Sequence, residues 1–162
     1  VFANKLYMVM DYCRHGAIMD SHEMPCKPLD HSDCRRWFAD ATIGLDYLHS
    51  QRCVHRDIKG GNILVEKSGR IKLADFGMAK SLVEQMADGG SFKGSAYWMA
   101  PEVIRQKGSG NHPAADVWSV GCTVIEMASG EHPWGDCSGF TSSTCTAMLH
   151  SVGIGFTDAT IT

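Results

Sequence analysis

Residues 55–62 read His-Arg-Asp-Ile-Lys-Gly-Gly-Asn, and thirteen positions past Asn62 stands Asp75-Phe76-Gly77. These residue types at this spacing could move a phosphoryl group. Asp57 offers a carboxylate able to orient a hydroxyl and accept its proton. Lys59, two positions on, offers a cation for the charge on a terminal phosphate. Asn62 and Asp75 offer amide and carboxylate oxygens, the hard ligands that Mg²⁺ prefers. Together these are the parts needed to pass the terminal phosphoryl group of ATP to an alcohol. That reaction has a loose transition state, so its catalyst mainly positions the nucleophile and stabilises charge.

Such a set needs a frame. Leu6-Tyr7-Met8-Val9-Met10 is a short apolar run that predicts a buried strand. His15-Gly16 and the stretch from Ser21 to Ser32, with Pro25 and Pro28, predict a loop. Trp37, Ala41, Leu45 and Leu48 then recur at helical spacing, with Phe38 widening the stripe and Asp30, Ser32 and Asp33 as candidate N-caps. Ile63-Leu64-Val65 and Ile71-Lys72-Leu73 flank Lys67-Ser68-Gly69, which predicts a small hairpin. Ala79 to Ser95 is polar and reads as a loop. Asp116 to Ser129 is apolar on nearly all sides, which predicts a helix buried in the core and ended by Gly130.

The 162 residues suffice for one compact domain, and 44% hydrophobic with 20% charged residues is ordinary globular composition. A net charge of −3 gives no reason to expect nucleic-acid or membrane-surface binding. No apolar run approaches a bilayer span, and no signal-peptide pattern opens the chain. The seven cysteines are odd in number and contain no Cys-x-x-Cys pair, so they read as reduced thiols of a cytoplasmic protein. The histidines show no ligand spacing. Val1 falls inside what reads as a strand, so a fragment is expected. From Cys137 to Thr162 the chain holds ten Ser or Thr and one formal charge, Asp158. That segment predicts either a poorly ordered terminus or a piece outside the domain.

Through these motifs the chain resembles the catalytic lobe of a eukaryotic protein kinase. The resemblance implies an α+β, protein-kinase-like fold, mainly the helical C-lobe with short β-hairpins and with the N-lobe missing. It covers about Leu6 to Gly135, so residues 1–136 are expected to be a partial kinase domain and 137–162 an atypical tail. By the same resemblance Asp57 is the base, Lys59 marks Ser/Thr specificity, and Asn62 and Asp75 hold Mg²⁺ against the phosphates of ATP. His55 and Phe76 form the lower part of a stacked column, and Gly77 completes that motif. Arg56 is expected to pair with a phosphorylated residue of an activation loop running from Asp75 to Glu102, with Ser91 the acceptor and Ser95 a structural partner of the catalytic pair. Ala100-Pro101-Glu102 closes that segment, and Trp98 and Met99 help form the substrate platform. Asp116 is expected to accept hydrogen bonds from the catalytic-loop backbone, since a buried carboxylate requires such partners. Asp11-Tyr12-Cys13 matches the hinge that pairs with adenine. Met10 gates the pocket behind it, and Leu64 closes the site from below with Ile18 in support.

The wording of Gly69 to Lys80, Gly94 to Ile104 and Gly121 to Met127 looks like the MAP kinase kinase kinase group. Ala17 to Asp33 is more similar to calmodulin-dependent kinase kinases. The implied partner is a protein substrate, with a MAP kinase kinase as its class. Three family parts are not found: a Gly-rich phosphate loop, a strand lysine and its helix glutamate. Lys5 stands only six residues before Asp11, too close to serve as that lysine, and no late arginine is present to pair with Glu102. Two expectations follow. The chain is part of a Ser/Thr kinase acting in a MAP kinase cascade, or it is a catalytically silent interaction module.

Overall fold

The computed structural model describes residues 7–19, 27–81, 96–104 and 112–134. Helix α1 (His31–Ser50) begins where Asp30, in extended conformation, accepts the Ser32 N–H at 3.2 Å. Of the three candidate caps, Asp30 therefore takes the role. Asp33 instead lies in the first turn and pairs with Arg36. Strand β1 (Cys53–Val54) follows α1. Strands β2 (Ile63–Val65) and β3 (Ile71–Leu73) form an antiparallel hairpin in which Leu64 faces Lys72. Gly69 turns it with φ +81°, a conformation costly for residues with a Cβ. Strand β4 (Lys80–Ser81) pairs antiparallel with β1, at the start of a stretch whose composition predicts only loop. Two residues are too few to show a period.

Helices α2 (Pro101–Ile104) and α3 (Pro113–Ser129) complete the described elements. At the start of α3, His112 Nδ1 accepts the Ala114 N–H and Pro113 opens the first turn. At its end Gly130 adopts φ +73° and donates its N–H to Glu126 O. The architecture is thus α+β: helices with short antiparallel strand pairs. No helix among the described residues is long and apolar enough to cross a membrane.

The core lies between α1, α3 and the β2–β3 hairpin. Ala41 and Leu45 of α1 meet Ile63, Val65 and Ile71 of the hairpin and Val120 and Met127 of α3. Ile58 is fully buried among them. Two polar ties lock α1 to the hairpin: Trp37 Nε1 donates to Gly69 O, and buried Asp40 accepts Ile71 N–H and pairs with Arg70. Phe38, expected to widen the buried stripe, remains half exposed.

Two expectations fail. Residues 7–10 form no strand, and their side chains are exposed, Val9 at 95%. The composition suits a strand, but no ladder neighbour stands beside it among the described residues, and a lone strand has no face on which to bury side chains. Helix α3 is buried on one side only. Val117 and Ile125 remain 64% and 51% exposed, because α1, the stretch from Cys53 to Asn62 and the segment around Trp98 all pack on the opposite side.

Candidate active site

Strand β1 delivers the chain into residues 55–59, and a 3₁₀ turn, Gly60–Asn62, returns it to β2. Val54 and Ile58 are fully buried, so they root the loop in the interior on either side of Asp57. Asp57 Oδ2 accepts from Asn62 Nδ2 at 2.8 Å, and Lys59 Nζ stands 3.5 Å from the same oxygen. Asn62 Nδ2 also donates to the Asp57 carbonyl at 2.8 Å. Both amide protons thus serve Asp57, and the amide oxygen is left as an acceptor. The Asn62 carbonyl in turn receives the Ala74 N–H at 2.9 Å, tying this turn to the residue before Asp75.

Asp116, on the first turn of α3, has no solvent exposure. Its carboxylate accepts the backbone N–H groups of His55 and Arg56, each at 2.8 Å, and lies 2.8 Å from His49 Nε2. Three donors answer the desolvation of this charge. The two backbone bonds also account for the backbone of Arg56, which sits at φ +73° although it is not glycine. Such a conformation persists where its surroundings over-determine it.

His55 is fully buried. Its Nε2 faces Ala74 O at 3.0 Å, while Nδ1 accepts the Asp57 N–H at 3.4 Å, which assigns the Nε2–H tautomer. Burial pushes its pKa down despite the nearby carboxylates of Asp116, Asp57 and Asp75. The His55 and Phe76 rings lie 5.0 Å apart, tilted by 57°. Asp75 is exposed, with φ +60°, and its Oδ1 accepts the Gly77 N–H at 3.2 Å. A Cβ on Gly77 would stand 3.1 Å from that oxygen, tighter than most real contacts, so glycine lets the carboxylate fold back.

On the other side of the loop, Glu126 of α3 is fully buried. Its Oε2 accepts the Gly60 N–H at 3.0 Å and the Trp98 indole N–H at 2.8 Å. The Ser119 hydroxyl lies 2.7 Å from Trp98 O. Trp98 and Met99 are buried, so they underlie any substrate platform and do not face it. Tyr97 stacks on His132 with centroids 4.8 Å apart, and Trp134 Nε1 donates to Tyr97 O. His49, Glu126 and His132 carry no local sequence signal for these contacts. They meet their partners across 67, 66 and 35 positions.

The residues expected to form the hinge fall on an exposed stretch. Met10 and Tyr12 are exposed, Cys13 is half buried, and Asp11 pairs with Lys72 Nζ at 2.5 Å. Lys72 also reaches Glu66 within the hairpin. The chain then runs antiparallel to β2: Ile18 donates its N–H to Ile63 O, and Ala17 bridges Leu64. Leu64 is half buried. Ile18, expected near adenine, lies in the core beneath the hairpin, so it can support such a site but not line it. Glu102 is half buried on α2 and has no ion-pair partner among the described residues. Ser91, Ser95 and the tail from Cys137 lie outside the described residues.

Comparison with known proteins matches residues 2–156 to the protein kinase domain. The chain is 46% identical to the mitogen-activated protein kinase kinase kinase YODA of Arabidopsis thaliana, over 84% of this chain and 15% of that protein. It is 45% identical to mitogen-activated protein kinase kinase kinase 5 of the same plant, over 84% of this chain and 20% of the relative. It is also 45% identical to the serine/threonine-protein kinase cst-1 of Caenorhabditis elegans, over 81% of this chain and 26% of the relative. The chain thus spans only about a seventh to a quarter of the length of these relatives. It belongs to the serine/threonine protein kinase family.

Proposed function

We propose that the complete protein carrying this chain transfers the γ-phosphoryl group of ATP to serine or threonine hydroxyls of a protein. Its substrate class is a MAP kinase kinase within a MAP kinase cascade, in keeping with the two Arabidopsis relatives. The free thiols of Cys13, Cys34, Cys53 and Cys122 agree with action in the cytoplasm. The kinase domain includes residues 1–136; the family match runs on to residue 156, into the Ser/Thr-rich segment 137–162 that the sequence alone reads as a tail.

The observation that carries this reading is the shared oxygen of Asp57. Asn62 fixes its orientation at 2.8 Å and Lys59 sets a cation 3.5 Å away. A carboxylate held this way can orient the attacking hydroxyl and take its proton. Lys59 faces the transferred group, and Arg56 receives a phosphate on Ser91. His55, Phe76 and Asp116 hold the loop, while Met10, Asp11, Tyr12, Cys13 and Leu64 border the adenine.

The donor set suits Mg²⁺. The Asn62 amide oxygen is left as an acceptor and Asp75 presents an exposed carboxylate. Among the described residues no cluster of three His, Cys, Asp or Glu could cage a metal by itself, which agrees with an ion that takes only one or two protein oxygens beside phosphates and water. When bound, Mg²⁺ supplies neutralisation of phosphate charge. Asp57→Asn in the complete kinase tests the assignment of the base: phosphorylation of a protein substrate should be abolished, and its retention at the parental rate would refute the assignment.

A further inference from the structure

Helix α3 buries two carboxylates without solvent exposure, Asp116 and Glu126, and treats them differently. Asp116 has three donors spread over both oxygens. Glu126 has two donors on Oε2 and none on Oε1, a buried polar atom without a partner. A fully ionised carboxylate in that position would keep one oxygen dry and uncompensated. Burial accordingly pushes the Glu126 pKa up, against the opposing pull of Gly60, Trp98 and Lys59. The structure needs the Oε2 acceptor at this position far more than it needs the charge.

The two donors come from separate parts of the site. Gly60 directly follows Lys59, and Trp98 belongs to the closing stretch of the activation segment. The fit around Gly60 is close: a Cβ there would stand 2.5 Å from the Met19 Cβ and 2.9 Å from Glu126 Oε1. Gly60 N–H therefore has little room to follow Oε2 if that oxygen moves. Trp98 is held by α3 a second time, through the Ser119 hydroxyl on its carbonyl. Displacement of Trp98 frees the indole N–H from Oε2 and loosens the carboxylate that fixes Gly60.

We infer that Glu126 is a positioning residue: through one shared oxygen it couples the placement of Trp98 in the activation segment to the placement of Lys59 in the catalytic loop. This rests on the phosphoryl-transfer reading above for the role of Lys59, while the Trp98–Glu126–Gly60 bridge stands on geometry alone. Order in the activation segment then reaches the lysine through two hydrogen bonds, with no contact between Trp98 and substrate required.

The test uses the complete kinase with two readouts. In steady-state kinetics, Glu126→Ala should lower kcat by about tenfold to a hundredfold, the scale of small misplacements at a reacting centre, with KM for Mg²⁺-ATP changed less than about twofold. Glu126→Gln keeps an acceptor where Oε2 lies and should recover most of that loss. In amide hydrogen exchange, Trp98→Phe removes the indole donor while keeping an aromatic ring and should speed exchange of the peptide spanning 59–62 by at least about threefold. Parental kcat in Glu126→Ala, or unchanged exchange at 59–62 in Trp98→Phe, would overturn the inference. Should Glu126→Ala fail to fold, the Gln and Phe variants decide the matter. If the parental protein transfers no phosphoryl group while Trp98→Phe speeds that exchange, the proposed function fails and the coupling stands.

Discussion

Asp116 accepts the backbone N–H of His55 at 2.8 Å, across sixty-one positions of sequence. The same carboxylate holds Arg56 N–H, so two successive amides of the 55–62 loop hang from one residue of α3. The loop takes its shape from the helix beneath it.

Removing that carboxylate charge should therefore cost both stability and turnover. Asp116→Asn turns an amide NH₂ toward groups that are themselves donors, and leaves at least one buried N–H unanswered. Such a loss is worth about 1–3 kcal/mol of unfolding free energy. Arg56 then has less reason to keep its left-handed backbone. Urea unfolding should show the lower stability, and kinetics should show kcat falling further than KM rises.

The buried imidazole of His55 predicts a pH effect of definite sign. Burial holds its folded pKa below the ordinary value of about 6.5, so the folded form excludes a proton that the unfolded chain binds. Stability should rise with pH across that window and be lost as pH falls below about 6.5, levelling off once the folded pKa is passed. Urea midpoints measured along this range should show a shallower slope in His55→Phe than in the parent.

Ile58 roots the 55–62 loop in the core from between Asp57 and Lys59. Ile58→Ala should lose about 2–5 kcal/mol of stability, and Ile58→Val about 1 kcal/mol. If the side chain also sets the loop, kcat at a temperature where both variants are folded should follow the same order. Equal kcat in parent and Ile58→Ala would confine the residue to packing.

The Lys72 pair with Asp11 is short yet lies at the surface, where water and salt screen it. The hydrogen bonds that Lys72 Nζ donates to the Asp11 and Glu66 carboxylates raise its pKa, and the one to Asp11 contributes most. Lys72→Ala should nonetheless leave the thermal midpoint unchanged at about 0.15 M salt. A clear drop would show that this link braces the 7–19 segment against the hairpin.

Some of this was legible in the chain and some was not. The stripe of Trp37, Ala41, Leu45 and Leu48 announces α1 because helix burial is written at local spacing, and the Asp30 cap sits in the same window. The hairpin around Gly69 is equally local. The run at residues 7–10 misleads because composition records what a strand could bury, while burial depends on a neighbour. The same holds for α3, where Val117 and Ile125 look like core residues but face outward. Asp116 became readable only through its resemblance to a known motif. Glu126 and His49 were not readable at all: a lone Glu on an apolar helix or a His near a helix end announces no partner some 66 positions away.

Asp116 and Glu126 stand ten positions apart on one continuous helix, an axial separation of about 15 Å. The first grips the 55–62 loop at His55 and the second at Gly60, so α3 serves as a gauge block between two ends of that loop. A gauge block is sensitive to length as well as to composition. Inserting or deleting one residue between positions 116 and 126 would turn one acid about 100° around the helix relative to the other. Surface loops absorb such changes readily; here a single-residue frame shift, with every motif intact, would leave the two grips unable to close together.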